Sequence, residues 1–329
     1  MLDAKSFGLT GVATSFASVL VGVPALPCLE RLSISGSLLM EHVLRLFPSD
    51  KFPQLHNVEL SHISTLLRLE VRLGVRAFCS HISSLELVLM EVDLIIEVLA
   101  VCQVLENATV KKPLFSLSSP FLPDTIVCNI SSFNIVGASF SDDVWGQLFS
   151  RLALPRLSRI QIATSDVLHD QVIQPVGLLA QNLVDLLSRS RCSLTSMSLK
   201  CISIEEDHLL DIFQLTPNLI VLILKGRETS LTEKILRNLA TLLPRLTQLE
   251  TPVCTEQSDL ILTVLESRRP NDSKPSSSSE SDSIISLLTR AVIAPCHCDL
   301  CMVCEVPDSI AWRVDKLRQS GLRMSILFP

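Results

Sequence analysis

Four cysteines and a histidine fall within nine residues, at Cys296, His297, Cys298, Cys301 and Cys304. Cys298 with Cys301, and Cys301 with Cys304, are C-x-x-C pairs. At that spacing a tight turn brings two thiolates onto one tetrahedral zinc ion. The run C-x-x-C-x-x-C also has part of an iron–sulfur spacing, but the Cys-Pro that would follow is missing. Structural zinc joins two such pairs from distant segments, and the chain holds no second pair. The expectation is therefore no metal and no other cofactor. Cys296, Cys298, Cys301 and Cys304, which fill packing positions in a loop on this reading, are the ligands to test against it.

No other group of residues is spaced for catalysis. His56, His62, His81 and His208 are spread over different repeats and make no pair with a Ser or Cys nucleophile, so they read as surface or packed histidines. Asp142 with Asp143, and Glu205 to Asp207, are acidic clusters at helix starts, where they complement the helix dipole. The phosphate-cradling G-x-x-x-x-G-K-[ST] and G-x-G-x-x-G are absent, and so is the zinc-peptidase H-E-x-x-H. The chain is expected not to be an enzyme. Its net charge of −6 gives no basic footprint for nucleic acid. Eleven cysteines, an odd and scattered set, point to reduced thiols and a cytoplasmic or nuclear protein.

The elements that must position any site are set by a leucine frame, L-x-x-L-x-L. It is clearest at Leu194, Met197 and Leu199, at Leu219, Leu222 and Leu224, and at Leu246 and Leu249. These frames start 25 and 27 residues apart, and each gap holds one amphipathic helix, Glu205–Leu215 and then Leu231–Leu243. Earlier copies are Leu29, Leu32 and Ile34; Leu55, Val58 and Leu60; and Ile82, Leu85 and Leu87. Leu157, Ile160 and Ile162 restore the frame after a less regular middle, where Thr125, Cys128 and Ile130 fit it poorly. Leu288, Ala291 and Ile293 continue it, and Leu322, Met324 and Ile326 close it after a stop at Gly321. Further helices are expected over Ser37–Phe47, Val92–Cys102, Asp142–Leu152, Val176–Ser188 and Asp308–Gln319.

One short strand and one helix per repeat is the signature of a leucine-rich repeat. The expected fold class is α/β, a leucine-rich-repeat solenoid (horseshoe) of about nine or ten units. Parallel strands would line the concave face and helices the convex face. A unit of this size cannot bury its apolar side alone, so neighbours must stack. The leucine ladder accounts for a composition that is 47% hydrophobic and only 19% charged. The repeat domain is placed at 27–329. Residues 1–26 form an apolar segment without assignment, uncharged from Ser6 and diluted by glycines. That dilution argues against a membrane span. Residues 268–282, RRPNDSKPSSSSESD, have no apolar side chain and are expected to be a disordered Ser-rich loop within one repeat.

Several phrases carry a family resemblance. They are Leu215-Thr216-Pro217-Asn218-Leu219, Leu243-Pro244-Arg245-Leu246, the helix end Leu265-Glu266-Ser267-Arg268-Arg269, and the closing Leu317-Arg318-Gln319-Ser320-Gly321-Leu322-Arg323-Met324-Ser325-Ile326. The chain resembles the repeat region of the F-box/leucine-rich-repeat family of mushroom-forming fungi. That resemblance implies a non-catalytic, substrate-recognising scaffold of a cullin-type ubiquitin ligase. Members dock a Skp-type adaptor through an N-terminal F-box. The L-P-x-E-[IL] opening of that box, with its later Trp, does not occur here, so such an adaptor is implied only if an F-box lies upstream.

Strand side chains alternate, so the residues between the frame positions point away from the helices. They form two expected rows on the concave face. The strand-entry row is Arg31, Asn57, Ser84, Arg159, Ser196, Val221 and Gln248. The mid-strand row is Ser33, Glu59, Glu86, Gln161, Ser198, Ile223 and Glu250. Exposed Val221 and Ile223 amid hydrogen-bonding groups suit a protein partner.

Overall fold

The computed structural model describes residues 5–10, 27–39, 43, 52–64, 78–115, 125–137, 142–164, 177–200, 202, 204–225, 231–253, 257–268, 287–295 and 308–326. These form two compact units: Met1–Leu157 with Asp185–Cys192, and Ser158–Val184 with Ser193–Pro329.

The first unit holds strands β1 (Ser6–Thr10), β2 (Arg31–Leu39), β3 (Asn57–Ser64), β4 (Ser84–Val88), β5 (Asn107–Lys111) and β7 (Ser132–Gly137). They pair in that order, every pair parallel. Strands β6 (Ile126–Val127) and β8 (Leu152–Ala153) make a separate parallel pair. Helices α1 (Val92–Val101) and α2 (Asp142–Ser150) belong to this unit. In the second unit β9 (Arg159–Thr164), β10 (Ser196–Lys200), β11 (Val221–Lys225), β12 (Gln248–Val253), β13 (Arg290–Pro295) and β14 (Arg323–Ile326) are parallel in chain order. Its helices are α4 (Glu206–Leu215), α5 (Glu233–Leu242), α6 (Ser258–Ser267) and α7 (Asp308–Gln319). Helix α3 (Gly177–Ser190) contributes residues to both units.

This is a leucine-rich-repeat solenoid in each unit. The frame positions are its core: Leu32, Ile34, Val58, Leu60, Met197, Leu199, Leu222 and Leu224 are all buried. Full burial of each Leu or Ile contributes about 2 kcal/mol. A repeated turn delivers the chain into each strand. The N–H of Leu55, Ile82, Leu105, Leu157, Leu219 and Leu246 each donates to the carbonyl three residues back. Pro53, Pro155, Pro217 and Pro244 stand at the second position of four of these turns, where a fixed φ favours the bend. This explains the recurring P-x-L of the sequence. The repeats are also stitched just before each strand. The Thr195 carbonyl, for example, accepts from Ile220 N–H at 2.8 Å and Val221 N–H at 3.0 Å.

Besides the short pair β6 and β8, three strands lie outside the predicted frames. Phe7 and Leu9 of β1 pair with Leu32 and Ile34, so a repeat strand begins within the segment left without assignment. Leu105, Ala108 and Val110 are the buried frame of β5, and Ile130, Phe133 and Ile135 that of β7. The frame expected at Thr125, Cys128 and Ile130 is therefore misplaced: Cys128 and Ile130 are buried, but they precede the strand. Strand β2 runs to Leu39, where a helix was expected from Ser37. Beyond it only Val43 is described, helical and buried.

Helix ends are closed by local chemistry. The Thr232 hydroxyl accepts from Ile235 N–H at 3.4 Å and caps α5. At the end of α7, Gly321 takes φ +88°, Gly321 N–H donates to Arg318 O and Leu322 N–H to Leu317 O. That pair of bonds is the Schellman motif, and Gly is the residue that meets its left-handed position without strain. Arg268 was assigned by composition to the disordered loop. It is instead 2% exposed and donates to the carbonyls of Leu239, Leu243 and Leu246. These carbonyls lie at the end of α5 and in the turn after it, and they accept from both Nη groups, while the buried Nε has no partner among the described residues. The rest of that loop lies outside the described residues.

Candidate functional site

The strand register builds the two expected rows. In the first unit Arg31, Asn57, Ser84, Asn107 and Ser132 are register partners in turn, as are Ser33, Glu59, Glu86, Thr109 and Asn134. In the second unit the strand-entry row is Arg159, Ser196, Val221, Gln248, Arg290 and Arg323, and the mid-strand row is Gln161, Ser198, Ile223, Glu250 and Val292. Frame residues on the same strands are buried, and the rows alternate with them. Asn107, Thr109, Ser132 and Asn134 were missing from the expected rows because β5 and β7 were missed. Arg290 and Val292 follow from the alternation around Ala291, and Arg323 from that around Met324.

The rows are not uniformly open. Arg31, Asn107, Arg159, Arg290 and Arg323 are exposed. Asn57, Ser84, Ser196, Val221, Gln248, Ser33, Glu59, Glu86, Gln161, Ile223 and Glu250 are half-buried. Val221 and Ile223 were expected to be exposed; their register neighbours shield part of each. Ser198 is only 7% exposed, because Gln161 and Ile223 flank it in register. Its hydroxyl and the Asn134 side-chain oxygen have no hydrogen-bond partner among the described residues.

Most carboxylates on these faces are already held. Ser33 Oγ donates to Glu59 Oε2 at 3.0 Å. Lys111 reaches Glu86 at 2.5 Å, and Lys225 reaches Glu250 at 2.7 Å. Each lysine sits two residues further along its strand than the row it serves, so it bridges diagonally between neighbours.

Three of the described cysteines are held in the thiol form. The Cys102 thiol is pushed well above its ordinary range by its hydrogen bond with Cys79 and by burial. Burial alone raises Cys128 to about 12, and it also raises Cys192. A thiol so shifted stays protonated and unreactive at neutral pH. His56 Nδ1 lies 2.6 Å from the Gln54 carbonyl oxygen, and His208 Nδ1 lies 3.7 Å from a Glu205 carboxylate oxygen. Among the described residues no group of three or more His, Cys, Asp or Glu is arranged to hold a metal ion. Cys296, Cys298, Cys301 and Cys304 lie outside the described residues, and so do the side chains of Asp142 and Asp143. No helix of the described residues is long and apolar enough to cross a membrane.

No protein-family model and no curated protein matches the chain. Among solved structures it is similar to one described as the crystal structure of the Rad7 and Elc1 complex in yeast, at 16% identity and a TM-score of 0.35. The match covers 70% of this chain and 63% of that one, less than two thirds of its length.

Proposed function

We propose that the chain is a non-catalytic scaffold that binds a protein partner on the open face of its strands. One observation carries this reading. Two rows of side chains stand in register across successive parallel strands, with apolar Val221 and Ile223 set among Ser196, Gln161, Gln248 and Glu250. An apolar centre with a hydrogen-bonding rim is the usual anatomy of a protein interface. Affinity capture followed by mass spectrometry, comparing wild type with Val221→Glu/Ile223→Lys, tests it. The double variant should keep its circular dichroism spectrum and lose the specific partners. Recovery of the same partners at the same yield would remove the open face from consideration.

The family phrases quoted above favour a narrower role within that reading. The scaffold would recognise substrates of a cullin-type ubiquitin ligase. A Skp-type adaptor would join it through an F-box encoded upstream of Met1. Co-purification of a Skp-type adaptor with the product of the complete gene is the expected result. A complete gene without an F-box, or a product that leaves the adaptor behind, would discard that role and leave the scaffold reading standing.

A further inference from the structure

The strand faces of the two units differ in charge. In the first unit Arg31 and Lys111 are matched by Glu59 and Glu86, and Lys111 already holds Glu86. In the second unit Arg159, Lys200, Lys225, Arg290 and Arg323 alternate with buried frame residues, against the single carboxylate of Glu250 among the described residues of these strands. Lys225 holds that carboxylate. Arg159, Lys200, Arg290 and Arg323 have no ion pair among the described residues. This surplus of positive charge stands in a chain whose net charge is −6.

The cations also stand next to one another. Arg290 and Arg323 are direct register partners on β13 and β14, and both are exposed. Lys200 and Lys225 are register partners on β10 and β11. Adjacent strands lie about 4.8 Å apart, and like charges directly opposite repel. Lys225 is offset by Glu250, but at Arg290 and Arg323 the free face keeps this repulsion, and an anionic ligand would remove it. Two neighbouring guanidiniums present forked donors that match carboxylates better than an ammonium would.

We propose that the open face of the second unit docks an acidic segment of a protein partner, with Arg290 and Arg323 as its carboxylate-binding pair. The proposal rests on the protein-binding reading and specifies the partner's chemistry. Electrostatic complementarity of this kind sets specificity and association rate.

Fluorescence anisotropy on the full chain tests it with a short labelled peptide of alternating Glu and Ser, and a Gln–Ser peptide as control. The Glu–Ser peptide should bind, and its affinity should fall as salt is raised. Arg290→Glu/Arg323→Glu should weaken it by at least about tenfold, and Arg290→Gln/Arg323→Gln by less. Arg31→Glu, on the other unit, should leave it within about twofold. Thermal unfolding of each variant checks the fold. Equal binding of the two peptides, or undiminished binding by the folded double-Glu variant, overturns the proposal. A stronger affinity for an oligouridine, lost on the same substitutions, overturns it in favour of nucleic acid. Partner capture that persists while the Glu–Ser peptide fails to bind would defeat this inference and leave the protein-binding reading intact.

Discussion

Arg313 on α7 forks onto Glu266 on α6, with Nε 2.9 Å from Oε1 and Nη2 2.8 Å from Oε2. The same guanidinium donates to Thr263 Oγ1 at 2.9 Å and to Asp259 Oδ1 at 3.1 Å. One residue thus ties the last helix of the second unit to the one before it. Arg313 holds the Glu266 carboxyl below the usual carboxylate range. A carboxyl whose folded pKa is depressed stabilises the fold above its unfolded value, about 4.3, and loses that contribution as pH falls through the folded value. Glu266 is more than a third exposed, so water screens the pair. Glu266→Gln should cost about 1 kcal/mol at neutral pH, with the gap to wild type closing below about pH 4. Denaturant titrations at several pH values read both quantities. A gap that stays constant down to acid pH would show that the charge of Glu266 contributes nothing.

Arg268 shows the opposite balance. Burial lowers its pKa to about 10, and its partners are three neutral carbonyls. Both folded and unfolded forms are charged at neutral pH, so its contribution should be flat from pH 5 to 9. Arg268→Met should leave those carbonyls without their donor and cost about 2–4 kcal/mol, lowering the thermal midpoint of the second unit. Trypsin should spare Arg268 in the native protein. If the Ser-rich segment is open, as its composition implies, a Glu-specific protease should cut first at Glu280, because proline follows both Arg269 and Lys274 and blocks trypsin there. Early cleavage after Arg268 would contradict its burial.

What the sequence made legible depended on residue type at the frame. Strands β2, β3, β4 and β9 to β14 carry Leu, Ile, Val or Met at most frame positions, so the period stood out. β5 puts the small Ala108 where a leucine was sought, and β7 puts Phe133 there. Both bury the same position, but neither keeps the pattern visible. Phe7 and Leu9 of β1 lie 25 residues before Leu32 and Ile34, a signal hidden by the uncharged run around them. Arg290 and Arg323 needed no new signal: alternation around Ala291 and Met324 places them, although the predicted rows end at Glu250. The burial of Arg268 was not legible at all. A basic residue at the edge of a Pro- and Ser-rich run reads as solvated, and only the end of α5 supplies the carbonyls that hold it.

The cysteines of residues 296–304 give a separate expectation. One C-x-x-C-x-x-C run supplies thiolates on one short segment, and a tetrahedral site built on it alone would be strained. Purified protein should carry well under one zinc per chain, and a chelator should leave unfolding unchanged. A structural zinc would contribute on the order of 10 kcal/mol to the folded state. Stoichiometric zinc that disappears in Cys301→Ser would reverse the expectation.

Neighbouring positions on β11 offer the sharpest test of the strand register. Leu222 is 0% exposed and pairs with Met197 and Leu249 on the helix-facing side. Ile223 pairs with Ser198 and Glu250 on the other side and is half-buried. A slip of one residue would exchange the two faces along the whole strand. The same substitution at both positions separates the alternatives without changing charge. Leu222→Asn should leave a cavity and bury an amide without partners, at a cost of about 4 kcal/mol. Ile223→Asn places its amide on the open face and should cost about 1 kcal/mol or less. Chemical denaturation of the two variants measures the difference directly. Equal losses, or the larger loss at Ile223, would mean that the leucine frame has been read from the wrong face.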